Sequence, residues 1–130
     1  MQDIYIARTS NSPEVSFSFS KNSLSMTGEA YPENANDFFH PILTGLEQYL
    51  EASDGKHIEF HFRLTYLNSA ATKMVYTMFE MLNESARTKN SIVLNWYHDE
   101  EDDAIMEFGE GVRDDFRSLD YRAIVLELAA

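Results

Sequence analysis

In "HIEFHFRLTYLNSAATKMVYTMFEML", residues 57–82, the hydrophobic period changes part-way along the segment. Up to Leu67, apolar and polar residues alternate, which is the period of a half-buried strand. From about Ala70, the apolar residues recur at helical spacing. The stretch therefore predicts a strand that runs directly into a helix, with Asn68 and Ser69 at the junction.

The predicted strand also indicates where the helices lie. One face carries apolar residues and the other carries polar ones: Ile58, Phe60, Phe62 and Leu64 against His57, Glu59, His61 and Arg63. A parallel strand covered on both faces reads as a continuous apolar run, and this strand does not. We therefore expect helices mainly on one face of the sheet and water on the other.

The rest of the chain supplies further elements around this unit. Strands are predicted in residues 3–7, 14–20, 23–30, 91–98 and 121–128, with Lys21 and Asn22 as a hairpin turn between the second and third. One helix is predicted in residues 31–53, with Pro32 and Asn34 marking its start and Pro41 expected either to shift that start or to kink the helix. Two further helices are predicted from Ser69 to about Thr88 and after the acidic run at 99–103. The order is β-β-β-α-β-α-β-α-β, an α/β (α+β) fold with a mixed sheet.

Composition limits the classes of function. The 130 residues suit a single domain over 1–130, and the absence of cysteine excludes disulfides and thiolate metal sites. This suits a cytoplasmic protein. No apolar stretch approaches the roughly 20 residues of a membrane helix, so no membrane insertion is expected. A net charge of −12 makes nucleic acid an unfavourable partner.

The junction residue Ser69 has two interpretations. A serine between strand and helix usually caps free backbone N–H groups. Asn68 competes for that role, and if Asn68 caps, Ser69 becomes the first helical residue with its hydroxyl directed outward. Lys73 and Tyr76 would then follow Ser69 on the same helix face.

Two groups of residues raise the question of a metal site. The run "DEEDD" at 99–103 offers oxygen ligands but lacks the spacing of a calcium loop, and its carboxylates favour a helix N-terminus. His57, Glu59 and His61 share a strand face but spread over about 13 Å, so a compact zinc site would need another ligand such as His98. A small metal-dependent enzyme using His57, His61 and Asp99 is one hypothesis, but no nucleophile or phosphate-loop motif is present. We expect no metal, no cofactor and no enzymatic activity.

Three blocks together resemble a known family. The segments "GEAYPENANDFF" (28–39), "FRLTYLNSAATK" (62–73) and "WYHDEEDDAIMEFGE" (96–110) are similar, in order and spacing, to the SiaC family of bacterial regulatory phosphoproteins. That family is similar in fold to the STAS domains of anti-sigma-factor antagonists. The resemblance therefore implies a STAS-like fold, which agrees with the mixed sheet and one-sided helices.

The resemblance also implies a switch. A Ser/Thr protein kinase would phosphorylate the residue that follows the Tyr-Leu-Asn segment, here Ser69 with Thr72 as runner-up, and a PP2C-type phosphatase would reverse it. The unphosphorylated form would bind and activate a diguanylate cyclase, through a docking surface around Asn68, Ser69, Lys73 and Tyr76, and so control cyclic di-GMP and biofilm or aggregation. Many members have Asn-Thr-Ser-Ser where this chain has Asn-Ser-Ala-Ala at 68–71. The alternative is an anti-sigma-factor-antagonist-like module that acts on transcription.

Overall fold

The computed structural model describes residues 2–126, and these residues form a six-stranded sheet and three α-helices. In chain order the elements are β1 (Ile4–Ile6), β2 (Glu14–Ser18), β3 (Ser23–Ala30), α1 (Ala35–Ala52), β4 (His57–Leu67), α2 (Ser69–Thr88), β5 (Ser91–Asp99), α3 (Asp103–Asp115) and β6 (Asp120–Leu126). The predicted order of elements is confirmed. Residues 127 and 128 of the predicted last strand lie outside the described residues.

The strands lie in the sheet in the same order as in the chain, β1 to β6. β1, β2 and β3 pair antiparallel, and β3 to β6 pair parallel, so the sheet is mixed as predicted. Parallel neighbours joined in chain order by right-handed crossovers place every connecting helix on the same face. The helices α1, α2 and α3 therefore form one layer, whereas the likeness to STAS domains stays a prediction.

The core lies between the sheet and this helical layer, and it is rich in aromatic rings. Trp96 of β5 is completely buried and stacks on Phe62 of β4, with ring centroids 4.3 Å apart. Its indole Nε1 donates a hydrogen bond of 2.9 Å to the carbonyl oxygen of Ile105 in α3. This bond satisfies the buried indole and fixes α3 against the sheet.

The opposite face of the sheet is open, as the alternation in β4 predicts. Arg63 is exposed and His61 is half-buried. Asn95 of β5 lies on the same face but is only 5% exposed, because neighbouring long side chains cover it. The amide of Asn95 donates a 3.3 Å hydrogen bond to Glu59. On the same face, the Arg63 guanidinium lies 4.2 Å from the ring centroid of Tyr97. The open face therefore carries a layer of polar side chains rather than water alone.

The turn between β2 and β3 differs from the prediction. Phe19, predicted in the strand, lies instead in a 3-10 turn, Phe19–Lys21, and the turn is thus longer than Lys21 and Asn22. Asn22 has the expected positive φ, 54°. The turn allows Phe19 to stack on Tyr49 of α1 at 4.5 Å, and this burial outweighs continuation of the strand.

The start of α1 follows its sequence signals. Asn34 caps the helix by accepting a 3.1 Å hydrogen bond from the backbone N–H of Asp37. Pro41 lies inside the helix and does not move its start, which is Ala35. No helix among the described residues is both long and apolar enough to cross a bilayer.

Candidate functional site

The N-terminus of α2 resolves the question of which residue is the cap. Asn68 has an extended backbone, and its side-chain oxygen accepts a 2.9 Å hydrogen bond from the N–H of Ala71. Asn68 is therefore the N-cap, and Ser69 is the first residue of the helix. The cap is supplied without the Ser69 hydroxyl.

Ser69 is exposed at the surface, and its hydroxyl makes no hydrogen bond to the residues that the structure describes. Thr72, the runner-up acceptor, is in a different situation. It is half-buried, and its hydroxyl donates a 2.8 Å hydrogen bond to the carbonyl oxygen of Asn68. A modifying enzyme would have to break that bond to reach Thr72, whereas Ser69 is presented without rearrangement.

The electrostatic surroundings of Ser69 tolerate negative charge. The first turn of a helix presents free N–H groups and the positive end of the helix dipole. Lys73, four residues further along α2, is exposed and forms no ion pair with any residue between 2 and 126. An anion on Ser69 would thus lie at a favourable helix terminus with a cation one turn away.

Tyr76 is partly buried in the helical layer rather than fully exposed for docking. It is half-buried between α2 and α3, with its ring 5.4 Å from Phe116 and 5.9 Å from Phe108. Its hydroxyl donates a 3.2 Å hydrogen bond to Asp115. Burial, followed by this hydrogen bond, raises the pKa of Tyr76 above its ordinary value. Tyr76 thus holds α3 against α2, and its direct contact with a partner stays a prediction.

An exposed aromatic pair beside Ser69 was not predicted. Tyr66 at the end of β4 is 51% exposed and packs edge-to-face on Tyr31, which is 38% exposed, at 5.7 Å. By strict alternation Tyr66 would share the core face with Leu64. A bulge in the β3–β4 pairing, where Leu64 pairs with Gly28 but Tyr66 pairs with Glu29, turns Tyr66 outward.

The sequence contained one signal for this bulge. Gly28 has a φ of 125°, a backbone conformation that residues with a side chain rarely adopt. A glycine in a predicted strand commonly marks a bulge. We call the exposed residues Tyr31, Tyr66, Ser69 and Lys73, together with the half-buried cap Asn68, the α2-start surface.

The histidines considered as metal ligands lie on opposite faces of the sheet. His61 lies on the open face, where its Nδ1 is 3.0 Å from the Tyr97 hydroxyl. His98 points to the helical face, is 7% exposed and contacts the carbonyl oxygen of Asp99. The suggestion that His98 completes a set with His57 and His61 was therefore wrong. Within residues 2–126 no three histidine or carboxylate side chains come together as a metal site.

The acidic run at 99–103 has local roles. Asp102 caps α3 by accepting a 3.1 Å hydrogen bond from the N–H of Ile105, and Asp103 is the first helical residue. Asp99 accepts a 2.9 Å bond from the N–H of Glu101 in the preceding turn. The prediction that the carboxylates of 99–103 serve the start of the third helix is confirmed for Asp102 and Asp103, whereas Asp99 bonds within the preceding turn.

Comparison with known sequences identifies the family. The sequence pattern described as "SiaC family regulatory phosphoprotein" matches residues 6–126. The chain belongs to the SiaC family. An uncharacterised protein of Pseudomonas aeruginosa strain UCBPP-PA14 is 29% identical over 116 residues, which is 88% of this chain and 90% of that protein.

Solved structures of SiaC from Pseudomonas aeruginosa have the same fold. Apo-SiaC superposes with a TM-score of 0.87 at 27% identity, covering 95% of this chain and 98% of the other. SiaC described as the activator of the diguanylate cyclase SiaD, in complex with that cyclase, superposes with a TM-score of 0.85 at 26% identity, covering 94% and 100%. As a SiaC-family member, this chain belongs to a class of regulatory proteins.

Proposed function

We propose that this protein is a phosphorylation-switched activator of a diguanylate cyclase, with Ser69 as the acceptor. The observation that carries the proposal is that Asn68 caps α2 while Ser69 is left exposed at its first turn. Two findings support it: the family consists of regulatory phosphoproteins, and a relative is described as the activator of a cyclase in the complex with that cyclase. In this proposal the protein acts as a single cytoplasmic domain and has no catalytic activity of its own.

The unphosphorylated form is the binding form. The α2-start surface then presents two tyrosine rings, a neutral hydroxyl and a single cation to a partner. Tyrosine is enriched at binding hot spots because its ring supplies apolar area and its hydroxyl a polar contact. Docking of the cyclase over this surface removes water from Ser69, and a neutral hydroxyl tolerates that removal much better than a charge does.

Phosphorylation of Ser69 by a Ser/Thr protein kinase would reverse this preference. The phosphate adds about −1.5 to −2 charges. Burying it under a partner that does not pair with it is costly, so the cyclase dissociates. A PP2C-type phosphatase restores the neutral surface, and cyclic di-GMP output with its effect on biofilm or aggregation follows the state of Ser69.

The fold should survive the modification. The cap hydrogen bond belongs to Asn68, so phosphate on Ser69 does not remove it. An anion in the first turn of a helix is neutral or mildly favourable. Stability and partner affinity should therefore respond separately to the same phosphate.

Titration against the cognate diguanylate cyclase tests the proposal. Relative to the wild type, Ser69→Ala and Ser69→Asn should bind with similar affinity, and Ser69→Asp or the phosphoprotein should bind about 30- to 150-fold more weakly, which corresponds to a coupling of about 2–3 kcal/mol. Ser69→Asn is the matched control because it has the size of aspartate without the charge. Equal affinities for the charged and uncharged variants would remove Ser69 from the switch.

Phosphate incorporation by the partner kinase tests the choice of acceptor. Ser69→Ala should abolish incorporation, and Thr72→Val should retain it because the Thr72 hydroxyl is already bonded to Asn68. Incorporation that survives Ser69→Ala and disappears in Thr72→Val would assign the switch to Thr72. Binding of an anti-sigma factor, and not of a cyclase, to Ser69→Ala would favour the transcriptional alternative.

A further inference from the structure

The helical layer has a second surface, which takes no part in the proposed switch. Between the C-terminal halves of α1 and α2 lies an apolar groove of about 420 Å³. Its floor includes Leu50 and Met81, and Ser85 lies beside them. We call this feature the α1–α2 groove.

Four glutamates border the groove in two pairs. Glu47 and Glu51 lie one turn apart on α1, and Glu80 and Glu84 lie one turn apart on α2. All four side chains are exposed. Like charges four residues apart weaken a helix, so neither pair helps the fold.

Few cations of the chain itself balance these carboxylates. Arg87 pairs with Glu84 at 2.6 Å, and Lys89, at the end of the groove, donates to the backbone carbonyl oxygen of Glu51 rather than to its carboxylate. Within residues 2–126, the carboxylates of Glu47, Glu51 and Glu80 form no ion pair. The half-buried Met81 and the buried Leu50 therefore lie between two rows of carboxylates, of which only Glu84 has a cation of the described residues as its partner.

We propose that the α1–α2 groove is a docking site for a basic amphipathic helix of a partner protein. The apolar stripe of such a helix would cover Leu50 and Met81, and its lysines or arginines would reach the glutamates on either side. The spacing fits, because cations one turn apart on the partner match carboxylates one turn apart on α1 and α2. Charge complementarity of this kind steers association and selects the partner.

Other occupants fit this groove less well. A second copy of the chain would bring the same four glutamates and a further net charge of −12 against it, which opposes association. A small apolar ligand would use the floor and leave the carboxylates without a role. The basic helix is the occupant that satisfies both features.

This site should work independently of Ser69. Glu80, the groove residue of α2 that is nearest to Ser69 along the helix, is eleven residues from it, a separation of about 16 Å along the helix axis. The Debye length at physiological salt is about 8 Å. A partner held in the groove would therefore remain bound whether or not Ser69 carries phosphate.

A designed peptide tests the groove without knowledge of the natural partner. The probe is a fluorescein-labelled 18-residue helix with leucines at helical spacing and lysines on the flanks, titrated by fluorescence anisotropy. Binding should weaken about 10- to 30-fold in E47K/E80K. The control E33K/E107K changes net charge equally at exposed positions away from the groove, and it should bind within about twofold of the wild type. Reversal at Glu47 also relieves its repulsion with Glu51, so the fold should be retained.

Two further variants separate the groove from general charge attraction and from the switch. Met81→Asp should weaken binding because it places a charge on the apolar floor, whereas Ser69→Asp should leave peptide binding unchanged. Equal weakening in E47K/E80K and E33K/E107K, or full binding by Met81→Asp, would overturn the proposal. A wild-type dimer by light scattering that E47K/E80K dissociates would assign the groove to a second copy instead.

Discussion

Because Gly109 lies close to Trp96, replacing it with alanine should lower the stability of the protein, whereas the same replacement at Gly111 in the same helix should raise it. Gly109 and Gly111 both lie in α3, where alanine is favoured over glycine by about 0.8–1 kcal/mol. From helix propensity alone, alanine at either position should stabilise the protein. The space around the two positions differs, however.

A β-carbon on Gly109 would meet the Nε1 atom of Trp96 at 2.5 Å and its Cδ1 atom at 2.7 Å, and the Tyr121 hydroxyl lies closer still. Ordinary contact begins at 3.4 Å, so the indole nitrogen must move by 3.4 − 2.5 = 0.9 Å. The indole cannot move freely, because it is stacked on Phe62 and bonded to Ile105. A β-carbon on Gly111 would meet only the Tyr76 hydroxyl, at 3.9 Å.

We therefore expect Gly109→Ala to lower the free energy of unfolding by about 1–3 kcal/mol, because overpacking and strain on the buried indole hydrogen bond exceed the gain in helix propensity. Gly111→Ala should raise it by about 0.5–1 kcal/mol. Urea denaturation followed by circular dichroism at 222 nm measures both, with the midpoint expected to move in opposite directions and the m-value unchanged.

Gly111→Ala is the matched control, since it adds the same methyl group to the same helix. A Gly109→Ala variant as stable as the wild type would mean that α3 is not held in close contact with Trp96. A loss of similar size in both variants would mean that the effect comes from α3 in general and not from this contact.

Two smaller predictions concern the cap and the open face of the sheet. Asn68→Ala should lower the free energy of unfolding by about 1 kcal/mol because the N–H of Ala71 loses its acceptor. Asn68→Asp should keep the wild-type stability because aspartate also accepts this bond, and thermal melts of both variants check this. Burial, assisted by Arg63, lowers the pKa of His61, so the folded state binds fewer protons than the unfolded state and stability should fall as pH drops through about 6.5. Urea midpoints measured between pH 5.5 and 7.5 should depend less steeply on pH in His61→Gln than in the wild type, and equal slopes in the two proteins would contradict the assignment.

Local signals in the sequence were sufficient for the order of elements. The alternation in residues 57–64 fixes which face of β4 is buried, and chain order with right-handed crossovers then places the helices. The cap was also within reach, because Asn68 and Ser69 were the candidates and hydrogen-bond geometry decided between them. These features depend on residues close together in the chain.

Features that depend on distant residues were not predicted. Tyr66 faces outward because β3 and β4 shift register at Gly28, and periodicity within β4 contains no information about that pairing. Phe19 leaves the strand because Tyr49, thirty residues later, offers a ring to stack on. The α1–α2 groove likewise appears only when the glutamates of two separate helices are brought to one surface.

The separate positions of Asn68 and Ser69 determine how the proposed phosphorylation switch would act. If Ser69 were the cap, a phosphate would remove the acceptor of a helical N–H, and partner binding and helix stability would change together. Since Asn68 caps, a phosphate on Ser69 would be added to a helix whose cap is already complete, at the terminus where negative charge is tolerated. The phosphate would then change the free energy of partner binding much more than the free energy of unfolding. In the proposed switch, the phosphate would exclude one partner without unfolding the protein. It would therefore not release a second partner bound in the α1–α2 groove, which begins about 16 Å away along α2.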